Sequence, residues 1–165
     1  MVSLRKPNID SSSKQAHSRE LRKGRFSERG RIYHVRTATA ERRPVFHDLD
    51  LGRMIVQTMK FLHERGDVAS LAFVVMPDHL HWLFELTGER RLDEVMASLK
   101  RHSAKLVNAA LGTGGSRLWQ PGYFDRALRA EEDVPRVARY IVANPLRAGM
   151  CERIGDYPLW DATWL

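Results

Sequence analysis

Cysteine is almost absent from this sequence, since its 165 residues include one, Cys151. A single cysteine excludes a framework of disulfides within the chain and the zinc modules that use four Cys and His ligands. Long apolar runs are missing too, because no stretch approaches the roughly 18 residues that a membrane-spanning helix needs. The N-terminal residues are charged and lack the apolar segment of a secretory signal. We therefore expect a protein of the reducing cytoplasm without a membrane partner.

Acidic side chains are the minority, and the basic excess is unevenly distributed. The chain has 27 Lys and Arg against 20 Asp and Glu, a formal net charge of +7. Residues 1–30 carry eight basic and three acidic side chains, and residues 99–153 carry ten and five, whereas residues 31–98 are nearly neutral. Such a positive field attracts an anionic partner such as nucleic acid. A basic surface that serves only solubility fits the charge equally well.

The pattern of apolar residues predicts one α+β domain. Residues 1–24 combine serines and charges without apolar periodicity, and we interpret them as a flexible basic arm. Beyond the arm, the pattern predicts strands near 32–39, 71–76 and 79–86, helices over 48–65 and 91–111, one or two strands within 117–130, and a helix from Asp133 to about Asn144. No βαβ crossover repeats, which favours an antiparallel sheet covered by helices. We place the domain over 25–153 and a C-terminal tail over 154–165.

Two histidines stand inside the strand that follows the turn at Pro77 and Asp78. Side chains of a strand alternate between its faces, so His79 and His81 share one face. Two imidazoles at this spacing can converge on one metal ion, and histidine is the commonest metal-binding side chain near neutral pH. The alternative is a pair of surface histidines on a half-solvated sheet. Two histidines do not complete a site, so a metal centre needs a third ligand.

The last predicted helix supplies a third ligand and a nucleophile. Tyr140 and Asn144 are four residues apart and share a helix face. Asn144 offers a carbonyl oxygen, which suits a hard divalent cation, and Tyr140 offers a phenolic oxygen that becomes a nucleophile when activated. Three arginines surround them: Arg136, Arg139 and Arg147. The alternative is a half-buried tyrosine beside an asparagine that caps a helix broken by proline.

The two motifs together point to phosphoryl chemistry. A metal held by His79, His81 and Asn144 would polarise a phosphate as a Lewis acid. Tyr140 would attack the phosphorus and leave a covalent phosphotyrosine. The metal and nearby arginines would stabilise the negative charge that develops. A phosphodiester substrate also accounts for the basic second half of the domain.

Four stretches of the sequence carry a family resemblance: GRIYHV (30–35), VMPDHLHWL (75–83), YFDR (123–126) and RYIVANPLRAG (139–149). Together they resemble the REP-associated tyrosine transposases, a subgroup of the single-tyrosine HUH transposases of bacterial insertion sequences. These enzymes act on repetitive extragenic palindromes. The resemblance runs from about Gly24 to Glu152, in the order and at the spacing of the family.

The resemblance implies a ferredoxin-like antiparallel sheet and Mg²⁺- or Mn²⁺-dependent nicking of single-stranded DNA near a hairpin. The product would be a 5′-phosphotyrosine link and a free 3′-hydroxyl. In this comparison His79 and His81 match the metal-binding histidines, Tyr140 matches the nucleophile, and Asn144 matches the residue that completes the metal shell. Asp78 departs from the asparagine commonly found there. Whether the chain acts as a monomer or a homodimer stays open, as does whether Tyr140 meets the histidines of its own chain.

Further candidates for DNA contacts come with structural alternatives. The polar side of the helix predicted over 91–111 carries three basic residues: Lys100, Arg101 and Lys105. They either bind phosphates of the DNA or belong to an ordinary solvated helix face. Trp119 stacks on an unpaired base or belongs to the core. Two arginines alternate on the strand predicted within 117–130: Arg126 and Arg129. They either face the DNA or form ion pairs with Asp125 or Glu131. Trp160 and Trp164 either pack the tail onto the domain or plug a DNA groove. We interpret the remaining histidines as structural or solvent-facing: His17, His34, His47, His63 and His102.

Two other functions compete with a nuclease. A non-catalytic DNA-binding protein with the same fold would hold hairpins through its basic arm and its second half without cleaving them. A zinc deaminase or another metal hydrolase fits poorly, because the Pro-Cys-x-x-Cys element of the deaminases is missing.

Overall fold

The structure of the chain, a computed structural model, describes residues 27–130 and 132–163. The predicted arm over 1–24 lies outside these residues, as does Trp164. Within the described part, no helix has both the length and the apolar character to cross a membrane.

The elements follow the predicted order closely. The strands are β1 (Ile32–Ala38), β2 (Val68–Met76), β3 (His79–Leu86), β4 (Phe124–Ala127) and β5 (Trp160–Ala162). The helices are α1 (Leu49–Glu64), α2 (Leu92–Leu111), α3 (Val134–Val142) and the single turn α4 (Asn144–Arg147). The strands form one antiparallel sheet in the order β4-β1-β3-β2-β5. This confirms the α+β prediction, and β1-α1-β2-β3-α2-β4 has the ferredoxin-like order of elements.

The helices begin and end where the sequence provides capping residues. The Asp48 side chain accepts hydrogen bonds from the amides of Asp50 and Leu51 and so caps the start of α1. Gly112 ends α2 in the left-handed conformation, with φ of 65°, which costs glycine little. Asp133 caps α3 by accepting from an amide of its first turn. These local signals explain why the predicted helix limits are nearly right.

Two boundaries differ from the prediction because of the sheet. β2 begins at Val68 rather than at residue 71, and a register shift between Ser70 and Ala72 breaks the alternation that marks a strand in sequence. Within 117–130, β4 is the regular strand, and Trp119 forms an isolated bridge with Thr39.

The two faces of the sheet are covered differently. Trp82 of β3 donates to Ser70 Oγ at 2.9 Å, and the Ser70 amide donates to His63 of α1 at 3.3 Å. The sheet face to which Trp82 points, here called the Trp82 face, is therefore covered by α1, and α2 packs beside α1. α3 packs on the other face, over β2, β3 and β5. Beyond α3, that second face leaves Arg36 of β1 and Phe124 of β4 exposed. We call this exposed part over β1 and β4 the open face.

The residues after α4 complete the sheet. β5 pairs with β2 through residues 160–162. The Tyr157 hydroxyl donates to the Val75 carbonyl at 2.7 Å, and Leu159 is buried in the core. Trp160 donates to the Ile154 carbonyl at 2.9 Å and packs onto the domain, which is one of its two predicted alternatives.

Candidate active site

The two histidines predicted to bind metal lie together on β3. Their rings are 5.0 Å apart between centroids and meet edge to face at 73°. His81 pairs across the sheet with Arg36 of β1 and Val74 of β2, and only 8% of it is exposed. His79 begins the strand and is half-buried. The strand therefore brings the two imidazoles together on one face, as the spacing predicts.

Each imidazole has its Nδ1 atom engaged by a neighbouring side chain. His79 Nδ1 lies 2.5 Å from Asp78 Oδ1, and His81 Nδ1 lies 3.0 Å from His34 Nε2. The second carboxylate oxygen of Asp78 lies 3.5 Å from Arg42 Nη1, which anchors the carboxylate. A partner on Nδ1 fixes the ring and leaves Nε2 as the nitrogen for a metal ion.

His34 corrects the expectation of a scattered structural or solvent-facing histidine. Its ring stacks on His81 at 5.3 Å, with 24° between the planes. On β1 the core positions are Tyr33, Val35 and Thr37, so His34 points to the opposite face. That alternation is readable in the sequence. The strand register that sets His34 beside His81 is not.

Burial keeps both of these imidazoles neutral. Burial chiefly lowers the pKa of His81 to about 3, with smaller contributions from His79, His34 and the charges of Arg36 and Arg147. Burial also lowers the pKa of His34 to about 4, followed by the nearby guanidinium charges. A neutral imidazole is the form that binds a metal ion.

Tyr140 lies on α3 with its ring in solvent. Ala138, Ile141 and Val142 of this helix are buried against the sheet, whereas 61% of Tyr140 is exposed. The predicted helix from Asp133 divides at Ala143, whose ψ of 3° ends α3 before α4 begins. Tyr140 is thus near the end of a helix that packs on the same face as the histidine pair.

Pro145 explains the side-chain contacts at this break. Proline has no N–H to donate to the Ile141 carbonyl, and Asn144 Nδ2 donates to that oxygen at 2.7 Å instead. Arg147 Nη2 donates to the Tyr140 carbonyl at 2.7 Å. The bond through Nδ2 leaves Oδ1 as the atom of Asn144 that could bind a metal ion, and α4 packs against β2, next to the histidine strand.

Arg147 contacts the ring of the tyrosine, and its charge reaches His81. Its guanidinium carbon lies 4.0 Å from the centroid of the Tyr140 ring, a cation–π contact. The same charge helps to lower the pKa of His81. One of the three arginines predicted to surround the tyrosine therefore contacts both its ring and its carbonyl.

The predicted ligands form a mixed set of donors. Within residues 27–130 and 132–163, no three His, Cys, Asp or Glu side chains are arranged to hold a metal ion. The predicted set consists instead of two imidazole nitrogens and the amide oxygen of Asn144. Imidazole nitrogen and amide oxygen suit Mn²⁺, while Mg²⁺ prefers oxygen ligands. Two imidazoles with oriented Nε2 atoms and one amide oxygen therefore fit a divalent ion of this kind.

The predicted DNA contacts on α2 separate into two groups. Lys100 donates to the carbonyls of Gln120 (2.8 Å) and Gly122, so its ammonium supports the loop before β4. Arg101 and Lys105 are exposed on the same helix. Because α2 belongs to the Trp82 face, these two lie on the other side of the sheet from the histidines.

Trp119 belongs to the core, which is the alternative to base stacking. Only 5% of it is exposed, its indole nitrogen donates to Ser103 Oγ at 2.9 Å, and its ring packs on Phe46. Stacking on a base needs an exposed ring face, so the proposed stacking role of Trp119 is wrong.

The arginines near β4 and α3 have different surroundings. Arg126 pairs with Glu132 at 2.7 Å, while Glu131, one of its two predicted partners, lies outside the described residues. The Arg129 amide also donates to Glu132. Arg136 and Arg139 project from α3 into solvent.

Comparison with known proteins identifies the family to which this chain belongs. Residues 28–144 match the family described as "Transposase IS200 like". The chain therefore belongs to the IS200-like transposase family, a class of DNA-processing enzymes.

Individual relatives agree with the family. Over 87 residues the chain is 30% identical to the REP-associated tyrosine transposase of Escherichia coli (strain K12), a match that covers 53% of this chain and 50% of the relative. The match thus spans half the length of that protein. The solved REP-associated tyrosine transposase bound to a REP hairpin is similar in fold, with a TM-score of 0.66, 20% identity and coverage of 82% of this chain and 79% of the other. A solved protein from Deinococcus radiodurans R1 has a TM-score of 0.51, 24% identity and coverage of 67% and 87%.

Proposed function

We propose that this chain is a metal-dependent nuclease and transposase of single-stranded DNA. It nicks and rejoins DNA near palindromic hairpins through a 5′-phosphotyrosine intermediate. The observation that carries the proposal is the pair of adjacent imidazoles on β3, on the sheet face over which α3 packs and presents the exposed Tyr140. An exposed phenol, a guanidinium and oriented imidazoles on one face are the groups that attack on a phosphodiester requires.

The proposed step transfers the DNA strand to the protein. Tyr140 Oη forms a bond to phosphorus while the bond from phosphorus to the 3′ oxygen breaks. The phenol loses its proton, and the departing 3′ oxygen gains one, so the products are a 5′-phosphotyrosine and a free 3′-hydroxyl. Attack by that hydroxyl on the phosphotyrosine reverses the step and rejoins the strand.

The residues proposed to hold Mg²⁺ or Mn²⁺ are His79, His81 and Asn144. When bound, the ion supplies Lewis-acid stabilisation of charge on the phosphate. Asp78 and His34 hold the two imidazoles in the orientation that presents Nε2. Arg147 holds the end of α3, because it contacts both the carbonyl and the ring of Tyr140.

Hairpin DNA as the partner is supported by the relatives and by charge. A solved relative is bound to a REP hairpin. On this chain Arg136 and Arg139 lie exposed on the helix of the nucleophile, where they would contact phosphates. Arg126 lies on β4, within the open face, and Arg129 lies just beyond this strand, whereas Arg101 and Lys105 are on the other side of the sheet and would contact only DNA that extends past the site.

The test is formation of a covalent protein–DNA adduct. A single-stranded palindromic oligonucleotide is incubated with the full chain and Mn²⁺, and the product is resolved by denaturing electrophoresis. We expect an adduct that EDTA prevents, that Tyr140→Phe abolishes and that His79→Gln strongly reduces. Tyr123→Phe is the matched control and keeps the adduct.

Each other outcome has a definite meaning. An adduct that survives Tyr140→Phe contradicts the nucleophile assignment. An adduct that forms equally well in EDTA contradicts the metal. Tight hairpin binding without an adduct under either metal supports the alternative, a DNA-binding protein that does not cleave.

A further inference from the structure

Phe124 is an exposed aromatic residue at the start of β4, an edge strand. Half of it, 50%, is accessible to solvent. Isolated exposed apolar side chains are normal in soluble proteins. The position of Phe124 on the open face is what sets it apart.

The strand register places Phe124 in line with the histidine site. Arg36 of β1 pairs with Phe124 on one side and with His81 on the other. Residues paired directly across antiparallel strands point to the same face. Neighbouring strands lie about 4.8 Å apart, so Phe124 stands roughly 10 Å from His81 along this row. About two or three stacked nucleotides cover that distance at a rise of roughly 3.4 Å each.

Arg36 adds a cation beside the exposed ring. Its guanidinium carbon lies 5.9 Å from the centroid of the Phe124 ring, and its side chain is exposed. Across residues 27–130 and 132–163, Arg36 has no ion pair with a carboxylate, whereas Arg126 on the same face is paired with Glu132. Arg36 is therefore the guanidinium of this row that is available to a phosphate.

The Phe124 ring is contacted by a histidine at one edge and by an arginine on one face. His34 meets it edge to face, with centroids 6.3 Å apart at 74°. Arg36 approaches one ring face, which leaves the opposite face for a planar group. Trp119 does not offer this because it is buried, and Tyr140 is the nucleophile in the proposed function.

We propose that Phe124 and Arg36 form a binding subsite for one unpaired nucleotide of the DNA strand. The phenyl ring stacks on the base, and the guanidinium binds an adjacent phosphate. The subsite lies two or three nucleotides from a phosphodiester at the histidine pair, so it fixes the position of the cut and rests on the proposed function. Stacking on an aromatic ring tolerates any base, so the subsite measures distance along the strand rather than reading sequence.

The test uses hairpin oligonucleotides with a single-stranded thymidine tail that carries one 2-aminopurine at successive positions. Binding to the full chain in the Tyr140→Phe background prevents cleavage during the titration. We expect quenching of 2-aminopurine at one tail position. Phe124→Leu removes the quenching and weakens binding at least fivefold, because base stacking is worth about 1–3 kcal/mol. Phe124→Tyr keeps both.

The chain provides a closely matched control. Phe61 of α1 is 43% exposed and also has an arginine over its ring, Arg65 at 5.3 Å, but it lies on the other side of the sheet. Phe61→Leu leaves quenching and affinity unchanged. Arg36→Gln keeps the quenching at saturating protein and lowers the salt dependence of binding by about one phosphate contact.

The outcomes separate this subsite from the nuclease activity. Unchanged quenching in Phe124→Leu, equal losses in Phe61→Leu, or no quenching at any position overturns the subsite, even when the wild-type chain forms an adduct. Conversely, position-specific quenching that Phe124→Leu removes supports the subsite, even when no adduct forms and the nuclease proposal fails.

Discussion

Replacement of Arg147 by methionine should slow adduct formation about 30-fold. The cation–π contact with Tyr140, at 4.0 Å, is worth about 0.5–1 kcal/mol at an exposed site. The hydrogen bond to the Tyr140 carbonyl, at 2.7 Å, adds about 1.5 kcal/mol, the lower end of the range for a charged donor, because Arg147 is exposed. Loss of about 2 kcal/mol in the transition state corresponds to a 30-fold slower step. Methionine keeps the length of the side chain but neither contact.

The assay is the single-turnover rate of adduct formation at saturating hairpin DNA and Mn²⁺, with DNA affinity measured separately. Arg147→Lys keeps one of the two contacts and should lose about fivefold. Arg153→Met is the matched control, because Arg153 is an exposed arginine paired with Asp156, in the segment between α4 and β5. A rate for Arg147→Met within twofold of the wild type refutes the reasoning. A loss confined to DNA affinity shows instead that Arg147 binds phosphate and does not hold Tyr140.

Three further substitutions test the supports of the site. Asp78→Ala should weaken Mn²⁺ binding by about 10- to 100-fold in calorimetry, and Asp78→Asn should weaken it less because the amide oxygen still accepts from the imidazole; equal losses contradict this. His34→Phe leaves the buried Nδ1 of His81 without its partner and should lower the free energy of unfolding in urea by about 1–3 kcal/mol, with partial recovery in His34→Gln. Unaltered stability argues against that contact. Tyr157→Phe should cost about 1 kcal/mol of stability without changing the adduct rate; a slower rate shows that the C-terminal strand influences the site.

Much of the fold follows from local patterns in the sequence. Asp48 and Gly112 mark helix ends through their own side chain or backbone freedom, so their signals survive without knowledge of the tertiary structure. The alternation in 79–86 places His79 and His81 on one face, because that property belongs to a single strand. The start of β2 was wrong because the irregularity near Ser70 interrupts the alternation.

The unpredicted parts depend on which elements meet. His34 joins His81 only through the register between β1 and β3, and no local pattern encodes that register. Trp119 is in the core because α2 supplies Ser103 as a partner for its indole nitrogen. The end of the helix near Asn144 was predicted from Pro145. The hydrogen bond from Asn144 to the Ile141 carbonyl was not predicted, because it depends on the turn that follows.

The position of β4 at the margin of the sheet has a consequence for motion. β4 has four residues and, among the strands that the structure describes, pairs with β1 alone, whereas β1 and β3, which carry His34 and His81, are paired on both sides. Amide protons of a short edge strand exchange through local opening of low free energy. We expect the amides of Phe124–Ala127 to exchange with deuterium faster than those of β3, and single-stranded DNA to slow β4 most. The chemical groups would then stand on the rigid centre of the sheet, while the strand that meets the incoming nucleotide is the one able to adjust to it.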